Sequence, residues 1–134
     1  MKLFIKTLFV SVLAVWLTGC YGDLGDDVPW EQDLEVALEP DGGSALVRTF
    51  STTYGFNVVI LSHMPRQGVT IDVAYRLDSD NSLVFDQTYT ATASPQPVTI
   101  TNIPFNEVGT VTVTVTSLTR ADNTVTKTFK LVRK

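Results

Sequence analysis

Val69-Thr70-Ile71-Asp72-Val73-Ala74-Tyr75-Arg76-Leu77 is the stretch that decides the fold. Val69, Ile71, Val73, Tyr75 and Leu77 fall on one side of an extended chain, and Thr70, Asp72, Ala74 and Arg76 fall on the other. Successive side chains of a strand point to opposite faces, so this period of two predicts a strand with one buried face. The same period returns at Gly109-Thr110-Val111-Thr112-Val113-Thr114-Val115-Thr116, with valines on one face and threonines on the other.

Outward from these two runs, the chain keeps the same habit. Leu34, Val36 and Leu38 alternate with Glu35, Ala37 and Glu39 before a Glu-Pro-Asp-Gly-Gly turn at residues 39–43. Residues 45–50 form a short candidate strand. Residues 55–62 contain the continuous run Val58-Val59-Ile60-Leu61, which predicts a central strand buried on both faces. Asp78-Ser79-Asp80-Asn81 turns the chain into Leu83, Phe85 and Tyr89, with Gln87 interrupting the apolar face. Val98 and Ile100 follow the Pro95 and Pro97 break, and Arg120-Ala121-Asp122-Asn123 closes a hairpin onto Val125, Phe129 and Leu131. Seven or eight strands with frequent turn signals predict an all-β, antiparallel β-sandwich over residues 34–134. An eight-stranded barrel is the competing architecture. No segment after residue 19 carries a helical period that would supply parallel crossovers.

Residues 98–104, 109–115 and 123–129 together resemble the end of bacterial Ig-like and fibronectin-type-III-like domains. Those domains pair a strand ending in a proline corner with a Gly-led Thr/Val strand and a final hairpin. The resemblance implies an Ig-like fold and, by itself, no function. Val111 or Val113 stands where a tyrosine corner is expected, so that hydrogen bond is missing.

The first twenty residues are of another kind. Lys2 and Lys6 precede the uncharged run from Leu8 to Leu17, which is of secretory-signal length and shorter than the roughly 20 residues of a membrane span. It ends in Leu17-Thr18-Gly19-Cys20, which resembles the bacterial lipobox. The resemblance implies a signal helix over residues 1–19, cleavage after Gly19, and palmitate-type acyl lipid on Cys20 as the anchor. Two or more acyl chains hold a protein on a membrane stably.

Removing that leader takes two of ten basic residues and none of the 14 acidic ones, so the net charge falls from −4 to −6. Such an acidic chain argues against nucleic acid as a partner. Eight of the acidic residues lie between Asp23 and Asp41, and no Lys or Arg occurs from Cys20 to Val47. Residues 20–33 therefore read as an acidic, flexible tether. Asp23, Asp26 and Asp27 lack the spacing of a calcium loop and read as solvated spacer. Tyr21, rather than Asp, follows the cysteine, and acidic residues come after it. This resembles outer-membrane and surface-exported lipoproteins and places the expected location in the bacterial cell envelope.

Chemistry-bearing residues are sparse. Cys20 is the sole cysteine, so the domain folds without a disulfide, and Cys-ligated zinc and thiolate catalysis are excluded. His63 is the sole histidine and adjoins Ser62 on a strand end, where neighbours face opposite ways and cannot form a catalytic pair. Asp41, Asp78, Asp80 and Asp122 sit in turn sequences, where Asp serves turn chemistry. No catalytic residue, metal site or cofactor is expected. Trp30, Tyr54 and Tyr89 are candidate ligand contacts, able to stack on sugar rings or to fill the ends of the sandwich. The threonines at 110, 112, 114 and 116 read as a solvated sheet face. The expected function is a noncatalytic interaction or spacer domain, with an envelope protein or a glycan as partner. A surface-assembly subunit pairing through residues 124–132 is one rival, and a carboxylate-dependent hydrolase the other.

Overall fold

The computed structural model describes residues 31–40 and 46–134. The leader, Cys20, most of the tether and Trp30 lie outside the described residues. The rest is a single compact unit beginning at Glu31.

Among the described residues, eight strands form in chain order: β1 (Val36–Glu39), β2 (Val47–Thr49), β3 (Tyr54–Ile60), β4 (Val69–Leu77), β5 (Leu83–Ala91), β6 (Gln96–Ile100), β7 (Val108–Ser117) and β8 (Thr124–Arg133). No helix occurs among the described residues. The strands make a three-stranded sheet, β1-β3-β6, and a five-stranded sheet, β2-β8-β7-β4-β5. The result is an all-β, sandwich-like domain.

The decisive run becomes β4, which lies inside its sheet between β5 and β7. Val69, Ile71, Val73 and Tyr75 are fully buried, and register pairs Ile71 with Val115, Val73 with Val113 and Tyr75 with Val111. Phe56, Val58, Val98 and Ile100 enter the same core from the three-stranded sheet. A Val or Leu brought fully out of water stabilises by roughly 1.5–3 kcal/mol, so this inner layer holds the fold where disulfides cannot.

Two expectations are corrected. The sheet system is not wholly antiparallel, because β2 pairs with β8 in parallel, Val47 with Leu131 through Thr49 with Arg133. The cause is the path of the chain. Leu34 is bonded to Asn123, where β8 is about to begin, and Val47 lies at Leu131, near its end. The chain therefore travels beside β8 in the same direction and changes sheets on the way. The run at 58–61 is central in its sheet but is not buried on both faces. Phe56, Val58 and Ile60 are buried, Val59 is half-buried, and Leu61 is 61% exposed, since only one layer covers this sheet.

Tyr75 is the largest fully buried side chain and sits against Gly109. A Cβ at Gly109 would lie 2.3 Å from the Tyr75 ring and 2.7 Å from the Arg76 carbonyl oxygen. The tyrosine O–H donates to the Leu131 carbonyl at 3.2 Å, so its polar end is satisfied inside the core. Burial pushes the phenol upward from its ordinary value, with Asp78 and Glu107 adding to the effect.

Candidate functional site

A groove of ≈ 590 Å³ lies between the outer edge of β1 and the open edge of β8, lined by Val36–Glu39 and residues 126–128. It exists because β2 covers β8 only at residues 131–133, leaving residues 124–130 paired to β7 alone. Lys127 lines it, opposite Val113 on the core-facing side of β8 yet exposed. A second, smaller hollow continues past Leu34, Leu61 and Val125.

At one end of this groove the chain is tied down by a buried side chain. Asn123, 5% exposed, donates from Nδ2 to Glu31 Oε1 at 2.7 Å and to the Gln32 carbonyl at 3.0 Å. Its Oδ1 accepts the Leu34 N–H at 2.9 Å. Arg120 adds an ion pair to Asp33 at 2.7 Å and one to Asp122 at 3.1 Å. Gln32 Oε1 accepts the His63 N–H at 3.0 Å, and Ser62 Oγ accepts the Glu35 N–H at 3.1 Å. Residues 31–33, assigned to the tether by composition, are thus held against the β7–β8 turn. The neighbouring Ser117 hydroxyl and the Asn123 amide, with the Arg120 guanidinium nearby, hold the Glu31 carboxyl below its ordinary value.

Of the residues singled out in the sequence, Tyr54 is half-buried and packs on Phe56, with ring centres 6.2 Å apart, and edge-on to Phe129 at 6.0 Å. It fills the side of the sandwich, and burial pushes its phenol upward. Tyr89 is half-buried on β5 opposite Ile71, in the five-stranded sheet, whereas Tyr54 belongs to the three-stranded one. The two tyrosines are not brought together. Cys20, Leu17, Thr18, Gly19 and Trp30 lie outside the described residues. The Ser62 hydroxyl is occupied by a backbone N–H, and the exposed His63 is held through its backbone rather than its ring.

The acidic residues are spread over turns and edges. Asp78 accepts from Lys130 Nζ at 2.8 Å and from Thr110 Oγ1 at 2.7 Å, and these bonds hold its carboxyl low. Asp80 accepts the Ser82 N–H at 3.0 Å, closing the β4–β5 turn, and is likewise lowered. Asp72 accepts from Thr88 Oγ1 at 2.6 Å on the outer sheet face. Among the described residues, no three His, Cys, Asp or Glu side chains converge as a metal site, and no helix is long and apolar enough to cross a membrane.

The threonine face is broader than the β7 stripe. Register sets Thr90, Thr70, Thr116 and Thr124 side by side across β5, β4, β7 and β8. Thr116 and Thr124 hydroxyls lie 3.0 Å apart, and Thr124 also bonds the Val115 carbonyl at 3.1 Å. Part of this face therefore satisfies itself.

These features define a class no finer than an all-β sandwich-like domain with open strand edges and a side groove. No family model, curated protein or solved structure matches the chain.

Proposed function

We propose that the chain is a lipid-anchored protein of the bacterial cell envelope, carrying a noncatalytic, Ig-like interaction or spacer domain. The observation that carries this reading is Leu17-Thr18-Gly19-Cys20 at the end of an apolar run, with Cys20 the only cysteine in the chain. The domain it would hold out from the membrane begins at Glu31, so the intervening acidic residues serve as the spacer. Outer membrane, with the domain facing outward, is the location this reading favours.

Strand order supports the Ig-like part. In Ig sandwiches the strands G-F-C share a sheet to which C′ adds beside C, and A, B and E lie in the other sheet. The order β8-β7-β4-β5 reproduces G-F-C-C′, and β1-β3-β6 reproduces A-B-E. Tyr75 then occupies the strand in which antibody domains bury a tryptophan. For the interaction role, the support is the groove between β1 and β8, where the exposed Lys127 suits a glycan or an acidic protein segment lying along it rather than a strand added to β8.

Replacing Cys20 by alanine and following incorporation of radiolabelled palmitate tests the anchor. Loss of label is expected, and continued labelling overturns the reading. Protease treatment of intact cells should remove the domain if it faces outward, and complete protection would assign it to the periplasmic side. Crosslinking in cells should recover an envelope partner on wild-type protein and lose it with Lys127→Glu. Equal recovery would place the partner elsewhere on the domain.

A further inference from the structure

The two sheets present several open edges, and they differ in how they are guarded. Natural sheets blunt exposed edges with short strands, prolines, bulges and charges that point inward. β1 has four residues and runs into Pro40, and β2 has three. β6 carries Pro97, which has no N–H to offer. The open part of β8 holds Lys127 on its core-facing side, so a strand docking there would bury that ammonium. β5 is the exception. It is nine residues long, pairs only with β4, and contains no proline, glycine, lysine or arginine. Its one irregularity is at the start, where pairing skips from Phe85 to Leu83 and leaves residues 85–91 regular.

The core-facing side of β5 is also short of cover. Phe85 lies opposite Tyr75 and Tyr89 opposite Ile71. Tyr75 and Ile71 are 0% exposed, yet Phe85 and Tyr89 are only half-buried, and Gln87 between them is exposed. β1 of the three-stranded sheet lies toward β8, on the far side of β7 and β4 from β5.

We propose that β5 is an assembly edge, and that two copies of this chain pair β5 to β5, antiparallel about a twofold axis at Gln87. The inference does not depend on the lipid anchor. Sequence self-complementarity selects both the partner and the register. An axis at Gln87 sets Phe85 against Tyr89 of the second copy, twice, and Asp86 against Thr88. Aromatic cross-strand pairs stabilise a sheet, and no like charges are directly opposed. An axis at Asp86 would oppose two carboxylates directly and set Phe85 against Gln87. An axis at Thr88 would set Phe85 against Ala91 and lose the aromatic pairs. A twofold interface uses the same patch on both copies, as this register does. The five-stranded sheet then continues into a ten-stranded one, and the uncovered shelf at Phe85 and Tyr89 is closed by its symmetry mate.

The test uses the full chain expressed in cells. Gln87→Cys places two thiols across the axis, where directly opposed Cα atoms lie about 4.5–5.5 Å apart, inside disulfide reach. Under mild oxidation this variant should run as a dimer on a non-reducing gel, while Lys127→Cys, exposed on the guarded edge, should run as wild type does. No dimer from Gln87→Cys, or an equal yield from Lys127→Cys, overturns the proposal. In the otherwise native chain, Gln87→Lys copies the guard of β8 and should cut the chemically crosslinked dimer at least about tenfold without altering circular dichroism. An unchanged dimer yield would overturn it equally.

Discussion

Replacing Asn123 by alanine removes the side chain that ties residues 31–34 to the β7–β8 turn. Three hydrogen bonds go with it, to Glu31, to the Gln32 carbonyl and from the Leu34 N–H. Gln32 is exposed and its carbonyl recovers water, so its net loss is small, while Glu31 is half-buried and loses its amide donor. Leu34 is 5% exposed, and its stranded N–H costs about 1–3 kcal/mol, in place of roughly 1 kcal/mol for an ordinary bond. The middle of that range is about 2 kcal/mol. For a domain near 100 residues, each kcal/mol shifts Tm by about 4–8 °C, so a fall of about 8–16 °C is expected. Urea and thermal unfolding measure it, and limited proteolysis should show new cleavage around residues 31–33. A second reading comes from pH. The folded Glu31 carboxyl sits below its ordinary value near 4.5, so its contribution is present above that value and is lost as pH falls through the lower folded one. The alanine variant should therefore lose part of the wild type's acid sensitivity below about pH 4.5. A stability loss under about 0.5 kcal/mol, the range of unremarkable surface changes, would refute the reasoning.

Gly109→Ala should destabilise by about 1–3 kcal/mol or more through the clash with the Tyr75 ring, read as a lower urea midpoint with an unchanged m-value. Tyr75→Phe removes only the bond to the Leu131 carbonyl and should cost about 1–2 kcal/mol in the same assay, leaving circular dichroism unaltered. Asp78→Asn should flatten the acid limb of the stability profile. The folded Asp78 carboxyl lies below its ordinary 3.8, so its contribution exists above that pH and vanishes as pH drops through the folded value. His63→Ala should leave unfolding within about 0.5 kcal/mol of wild type, since the backbone N–H rather than the ring meets Gln32.

Strand positions were legible because a strand's period is local. Val69–Leu77 and the Thr/Val run needed only the alternation of side chains to be placed, and β4 and β7 follow them closely. The run at Val58-Val59-Ile60-Leu61 misled for the complementary reason. Continuous apolarity fits a two-sided strand, and how many layers cover a strand is decided by residues far away in the chain. Asn123 carried no signal of its importance. Arg-Ala-Asp-Asn reads as a turn, and it is one, with Asn123 N–H donating to the Arg120 carbonyl at 3.1 Å. That the same residue also grips a segment some ninety positions earlier, Leu34 at |i−j| = 89, is a matter of how the hairpin docks. The tether boundary followed from composition, which sees charge and glycine but not a buried partner waiting for the backbone. Tyr54 and Tyr89 were equally legible as exposed platforms or as packing, and only their neighbours separate them.

What the sequence determines alone is whatever depends on neighbours in the chain: the all-β period, the turns, the absence of any disulfide, and the Leu17-Thr18-Gly19-Cys20 motif with its acidic follower. What the tertiary structure decides is which edges meet. The parallel run of β2 on β8, the groove beside Lys127, the Asn123 tie and the unguarded β5 all arise from strands brought together across long stretches of chain. Backbone pairing obeys no side-chain code strong enough to name its partner, so strand order waits on the packing of the whole core.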